Sequence, residues 1–172
     1  MKADILSEQE MNHQRMALWA ADCATHVLAI FEAHHPGDGR PREAIGAARG
    51  WAREKISMQR AHEAARAAYA AARETGHPDA ALAARAAAHA AESAQAMEHA
   101  RHAAAYAITA AARAAESGGT PAEAAVAERN WQYRELRKRI EPAGPAPESV
   151  RKRKTPGRTS APSRRRPARR AT

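Results

Sequence analysis

Nine histidines are spread along this 172-residue chain, and their spacing is the first thing in it that suggests chemistry. His99 and His102 are three apart and Glu98 lies four before His102, so a helix would carry Glu98 and His102 on one surface, while Glu92 and His99, seven apart, would nearly align. A metal site needs three or four convergent ligands held in place by further hydrogen bonds. Projected along one continuous helix from Leu82, however, His102 and Glu98 fall roughly opposite the apolar stripe, and Glu92 with His99 falls on its flank. His62 beside Glu63, and the flank residue His89, supply nothing further. The expectation is solvated histidines, with no metal, no cofactor and no catalytic group. Cys23 and His26 have the i, i+3 spacing of a nucleophile and its base. A cysteine inside an apolar stripe, with no oxyanion donors nearby, reads instead as core, and His26 as a hydrogen-bonded, partly buried neighbour.

The stretch HHPGDGRPREAI, residues 34–45, gathers His, Asp and Arg around two glycines and two prolines. Its GDG follows no strand and lacks the spacing of a phosphate-binding loop. His34 and His35 suit the negative end of a helix, Pro36 and Gly37 stop it, and Pro41 opens the next, so chain reversal accounts for most of the motif. Asp38, Arg40 and Arg42 are left over as exposed charges at a bundle end. Together with the exposed Glu98 and His102 face they are the candidate partner-binding residues. Trp19, Trp51, Trp131 and Tyr133 read as packing groups, but Trp131 projects away from the Val126, Tyr133 and Ile140 stripe and is a candidate partner anchor.

The elements that must position these groups are all helical. Met16, Trp19, Cys23, Val27 and Ile30 recur at spacings of three and four, predicting a helix from about Ser7 to His34 with Ser7 and Glu10 in capping-box positions. A second opens at Pro41. Gly50 and Ser57 predict a break near 54–57, with Ser57 capping a helix that runs through Arg73. Thr75-Gly76-His77-Pro78 is a stop with Asp79 placed to cap, and 80–117 reads as one helix striped by Leu82, Ala86, Ala90, Ser93, Met97, Ala100, Ala104 and Ile108. Ser117-Gly118-Gly119 ends it, and Thr120-Pro121 starts a last helix over 120–140. The fold class is therefore all-α: an antiparallel bundle of four or five helices over 1–140.

Charge divides the chain. Up to Ile140 there are 18 Lys+Arg against 17 Asp+Glu, and from Glu141 onward 10 against 2. The segment 141–172 is rich in Pro and Arg, has a single sizeable apolar residue in Val150, and is expected to be disordered. Its cations Arg151, Lys152, Arg153, Lys154, Arg164, Arg165, Arg166, Arg169 and Arg170 would hold phosphate backbones without reading bases, so nonspecific nucleic-acid contact is the second functional reading. One cysteine excludes an intrachain disulfide. No run approaches the roughly 18 apolar residues of a membrane span, and no signal-type core opens the chain. A cytoplasmic location is expected; the oligomeric state is left open.

The segments LWAADCATHVLAIFEAHHPGDGRPREAIGAARGWAREKIS, residues 18–57, and ALAARAAAHAAESAQAMEHARHAAAYAITAA, residues 81–111, resemble bacterial immunity proteins of the immunity-five-like type. The Trp-Ala-x-x-Cys-Ala opening, the Asp-x-Arg-Pro-Arg turn and the Ala-Ala-Arg-x-Trp segment carry the resemblance, which covers about residues 15–115. It implies a non-catalytic protein that neutralises a cognate toxin by binding it in the cell that makes it. Similar proteins often have Gly where Glu54 stands and His where Gln95 stands.

Overall fold

The computed structural model describes residues 2–140; the basic segment from 141 to 172, with the nine cations named above, lies outside the described residues. Among the described residues six helices follow in order: α1 Lys2–His34, α2 Arg40–Ala52, α3 Met58–Glu74, α4 Pro78–Glu92, α5 His99–Ala115 and α6 Pro121–Ile140. No strand occurs among the described residues.

Alanine sets the geometry. On α3, Ala61, Ala65, Ala68 and Ala72 recur at helical spacing and are buried. On α4, Ala80, Ala83, Ala84, Ala86, Ala87, Ala88, Ala90 and Ala91 are buried on nearly every side, because this helix lies among α1, α2, α3 and α5. Side chains this short allow close helix approach. Larger groups enter the core mainly from α1, through Trp19, Cys23, Val27, Leu28 and Phe31, with Ile45 from α2. The helical segment Glu8–His34 is long and apolar enough to cross a membrane by length and composition, against the expectation that no run approaches such a span. Half of its most apolar 18-residue stretch is buried within the structure, as in the core helix of a bundle.

The helix ends explain where reading by pattern succeeds. Ser57 caps α3 by accepting from Arg60 N at 3.3 Å, as its position predicts. Just before it, Glu54 N donates to Trp51 O at 2.8 Å and Lys55 N to Gly50 O at 2.9 Å, the paired closure of a Schellman motif, with Glu54 itself at φ 56°. Glu thus occupies a left-handed position that glycine adopts freely. Gly50 serves a close approach: a Cβ there would lie 3.3 Å from the Ile56 side chain.

Four expectations are corrected. The first helix continues back to Lys2, so Ser7 lies inside it and is not its cap. Pro78 already belongs to α4, whose N-cap His77 makes no side-chain cap bond; Asp79 sits in the first turn, where its charge suits the dipole. The segment 80–117 is two helices, because Ser93 donates its hydroxyl to Ala90 O at 2.5 Å and residues 93–98 close tight turns such as Ala94 N to Ala91 O. A single helix of that length would run roughly 57 Å and leave most of its alanine face unpacked. Finally, Val126, Tyr133 and Ile140 face outward from α6, which packs through Glu128, Gln132, Trp131 and Leu136.

Candidate functional site

At one end of the bundle the α1–α2 hinge meets the α3–α4 hinge. Asp38 accepts from Arg40 N at 3.1 Å, from its Nε at 2.9 Å and from a terminal guanidinium nitrogen at 2.6 Å, and the same nitrogen donates to Glu74 at 2.7 Å. Arg40 therefore locks its own turn and ties it to the end of α3. Arg42 donates to Glu32 on α1 at 2.5 and 2.9 Å. His35 hydrogen-bonds the Thr75 hydroxyl at 2.7 Å, and His34 reaches Asp79 at 3.3 Å while stacking on His77 with ring centres 3.9 Å apart. The Arg40 hydrogen bonds hold Asp38 and Glu74 below the usual carboxylate range. For Asp79, burial pushes upward, but the Ala80 N–H and His34 outweigh it and the net direction is down. The charges that chain reversal left unexplained have partners within the chain: Asp38 and Arg40 clamp the two hinges together, and Arg42 ties α2 to α1.

A second polar cluster fixes α6. Glu128 is nearly sealed, and its carboxylate accepts from His26 Nδ1 at 2.5 Å and from Gln132 Nε2 at 2.9 Å. Gln132 also donates to Ala104 O at 3.0 Å, and its own carbonyl accepts from Trp19 Nε1 at 2.9 Å. His26 lies flat on Trp131, ring centres 3.8 Å apart and 5° from parallel, so Trp131 is a half-buried packing partner on the inward side of α6. Burial first, then Glu128 and Asp22, push the Cys23 thiol strongly up. With His26 engaged by Glu128, the two do not make a nucleophile and base.

The turn at 93–98 has a third consequence. It folds the start of α5 back along α4 and brings His89 together with His99 and His102, one ligating nitrogen from each lying within 4.8 Å of the others. His89 Nδ1 is 3.1 Å from His99 Nδ1 and 3.1 Å from the Tyr69 hydroxyl, and its ring stacks on Tyr106. Burial, followed by His99, His102 and Arg85, pushes His89 down to about 4; burial, followed by Glu92 and Tyr106, pushes Tyr69 up to about 12. Glu92, read as a flank partner of His99, instead pairs with His62 at 2.8 Å. Glu98 stands exposed before α5 without a capping bond, and His102 is exposed beside the other two histidines. A continuous-helix projection could not find this group, because its members meet only across the turn.

One surface was not foreseen. Val126 is 51%, Tyr133 62% and Ile140 56% exposed, and their seven-residue spacing puts them in one outward stripe of α6.

A family model described as Imm-5 like putative immunity protein matches residues 7–139. Nothing matches among curated proteins, and nothing among solved structures.

Proposed function

The chain belongs to the Imm-5 like immunity family, and from that premise we propose that it is a non-catalytic binding protein that occludes a cognate protein toxin in the cytoplasm, docking it on the outward face of α6. The observation that carries the docking surface is the exposure of Val126, Tyr133 and Ile140. In a chain with only three tyrosines and an alanine core, large apolar side chains are scarce, and three of them stand in solvent along one helix face. Exposed apolar stripes with an aromatic at the centre are the surfaces protein partners bury, and tyrosine is enriched among the residues that dominate such interfaces. The Asp38, Arg40 and Arg42 loop, the Glu98 and His102 face and Trp131 rank below it: the loop charges are already paired, and Trp131 is stacked on His26.

The test is growth rescue by the full chain co-expressed with each toxin encoded beside its gene. Wild type rescues, and Val126→Asp/Tyr133→Asp, which alters only exposed positions, loses rescue while keeping its helical circular dichroism and melting midpoint. Equal rescue by that variant, with rescue lost instead in Arg42→Ala or Glu98→Ala, would move the docking surface elsewhere. A wild-type dimer made monomeric by Tyr133→Asp, with rescue intact, would make the stripe a self-association face and end this reading of it.

A further inference from the structure

We propose that His89, His99 and His102 bind one divalent transition-metal ion of the zinc type, with a coordination position left open. The rings come from two elements: His89 from the last turn of α4, and His99 and His102 from the first turn of α5. Their centres form a nearly equilateral triangle, 5.3, 5.2 and 5.6 Å on its sides. A zinc–imidazole bond of about 2.0–2.1 Å puts each ring centre about 3.2 Å from the ion, and three rings at tetrahedral angles then have centres about 5.2 Å apart. The Nδ1 atoms of His89 and His99, 3.1 Å apart, likewise sit close to the separation of about 3.3 Å that two nitrogen ligands adopt around such an ion.

The local hydrogen bonding favours a cation at this point. The ring nitrogen of a neutral imidazole that lacks a hydrogen offers one lone pair. His89 Nδ1 is approached at 3.1 Å by both the Tyr69 hydroxyl and His99 Nδ1, and the second contact sets two like nitrogens face to face. An ion among the three rings would satisfy their lone pairs together. Charged neighbours include Arg85, whose guanidinium lies 5.9 Å from the Tyr106 ring centre, Glu92, one turn beyond His89 and paired with His62, and Glu98 and Arg101, which adjoin His99 and His102 in sequence. Arg85 opposes a divalent ion and Glu92 favours it. Three imidazole donors select zinc, copper, nickel or iron over the hard oxygen-seeking cations, and three protein ligands leave the fourth position for water or a donor from a partner.

Cobalt(II) reports this geometry directly, because nitrogen ligation near tetrahedral symmetry gives visible d–d absorption. Full-length, tag-free protein, stripped with chelator, is titrated with Co²⁺. One equivalent should develop the band, and Zn²⁺ should displace it. His102→Ala, an exposed change that leaves the helical circular dichroism intact, should weaken binding at least about tenfold and abolish the band; His77→Ala, at the opposite end of α4, should leave both unchanged. Absence of a saturable band, wild-type binding by His102→Ala, or an equal loss in His77→Ala would overturn the assignment. If His102→Ala fails to fold, His99→Asn read the same way decides.

Discussion

Replacing His26 with Phe should destabilise the fold more than replacing Glu128 with Gln, although the two side chains form one pair. The asymmetry comes from exposure: the His26 side chain is 43% exposed and the Glu128 side chain 3%. Phenylalanine keeps a flat ring on Trp131 but removes the Nδ1 hydrogen, leaving a sealed carboxylate with Gln132 as its donor. Losing a charge-assisted hydrogen bond and under-satisfying a buried charge costs about 2–4 kcal/mol. Glutamine at 128 keeps an oxygen for Gln132 and offers an N–H toward His26, which water also reaches, so its cost should be about 0.5–1 kcal/mol. In the double variant no buried charge is orphaned, so about 1–2 kcal/mol of the His26→Phe loss should return. Urea unfolding followed by far-ultraviolet circular dichroism, with unchanged denaturant slope, measures all three. Should His26→Phe cost no more than Glu128→Gln, or should the double variant equal the sum of the singles, the argument that Glu128 is a sealed charge fails.

Glu54→Gly should stabilise the fold by about 0.5 kcal/mol and raise the melting midpoint by about 1–2 °C, because relief of the left-handed conformation outweighs the exposed Gln14–Glu54 hydrogen bond it removes; a lower midpoint would contradict this. Asp38 and Glu74 are held low by Arg40, so their pairing stabilises the fold above the unfolded carboxylate range and is lost as pH falls through the depressed folded values. Arg40→Met should therefore flatten the fall of the melting midpoint below about pH 4, and an unchanged acid limb would show that the clamp contributes nothing. If the segment 141–172, which carries 10 of the 28 Lys+Arg, holds phosphate backbones, the full chain should be retained on DNA with a steep salt dependence and residues 1–140 should not; no retention of the full chain would end that reading, and retention by residues 1–140 alone would place the contact on the bundle.

Fold class was legible because helices announce themselves locally. The α1 stripe from Met16 to Ile30, Pro41 opening α2, Ser57 capping α3 and the Ser117-Gly118-Gly119 stop all act through neighbours a few residues away, and all stand in the structure within a turn of where the pattern puts them. The start of α1 and the cap of α4 were misplaced locally, by a few residues; the break at 93–98 needed a contact distant in sequence. Nothing in ESAQAMEH breaks a helix by propensity; the break there is held by Ser93 bonding back to Ala90 and by His13, eighty residues away, hydrogen-bonding the Ser93 carbonyl at 2.5 Å. The histidine group depends on that break. The family model reaches 139, so α6, which the resemblance over 15–115 left out, is part of the family's own fold.

The inversion of α6 shows what sets register in an alanine bundle. The α5 surface that faces α6 presents mostly methyl groups, with Ala100, Ala103, Ala104, Ala107 and Ala110 buried. Buried alanine faces differ little from one another, so burial alone leaves rotation of α6 weakly determined, and the decision passes to directional bonds. Glu128 and Gln132, four apart, can meet His26, Ala104 O and Trp19 Nε1 together only when that face points inward. The same bonds thereby turn the large apolar residues outward. In this chain the polar interior positions the apolar surface, and a change that loosens Glu128 should impair partner docking on α6 without touching one residue of the docking stripe.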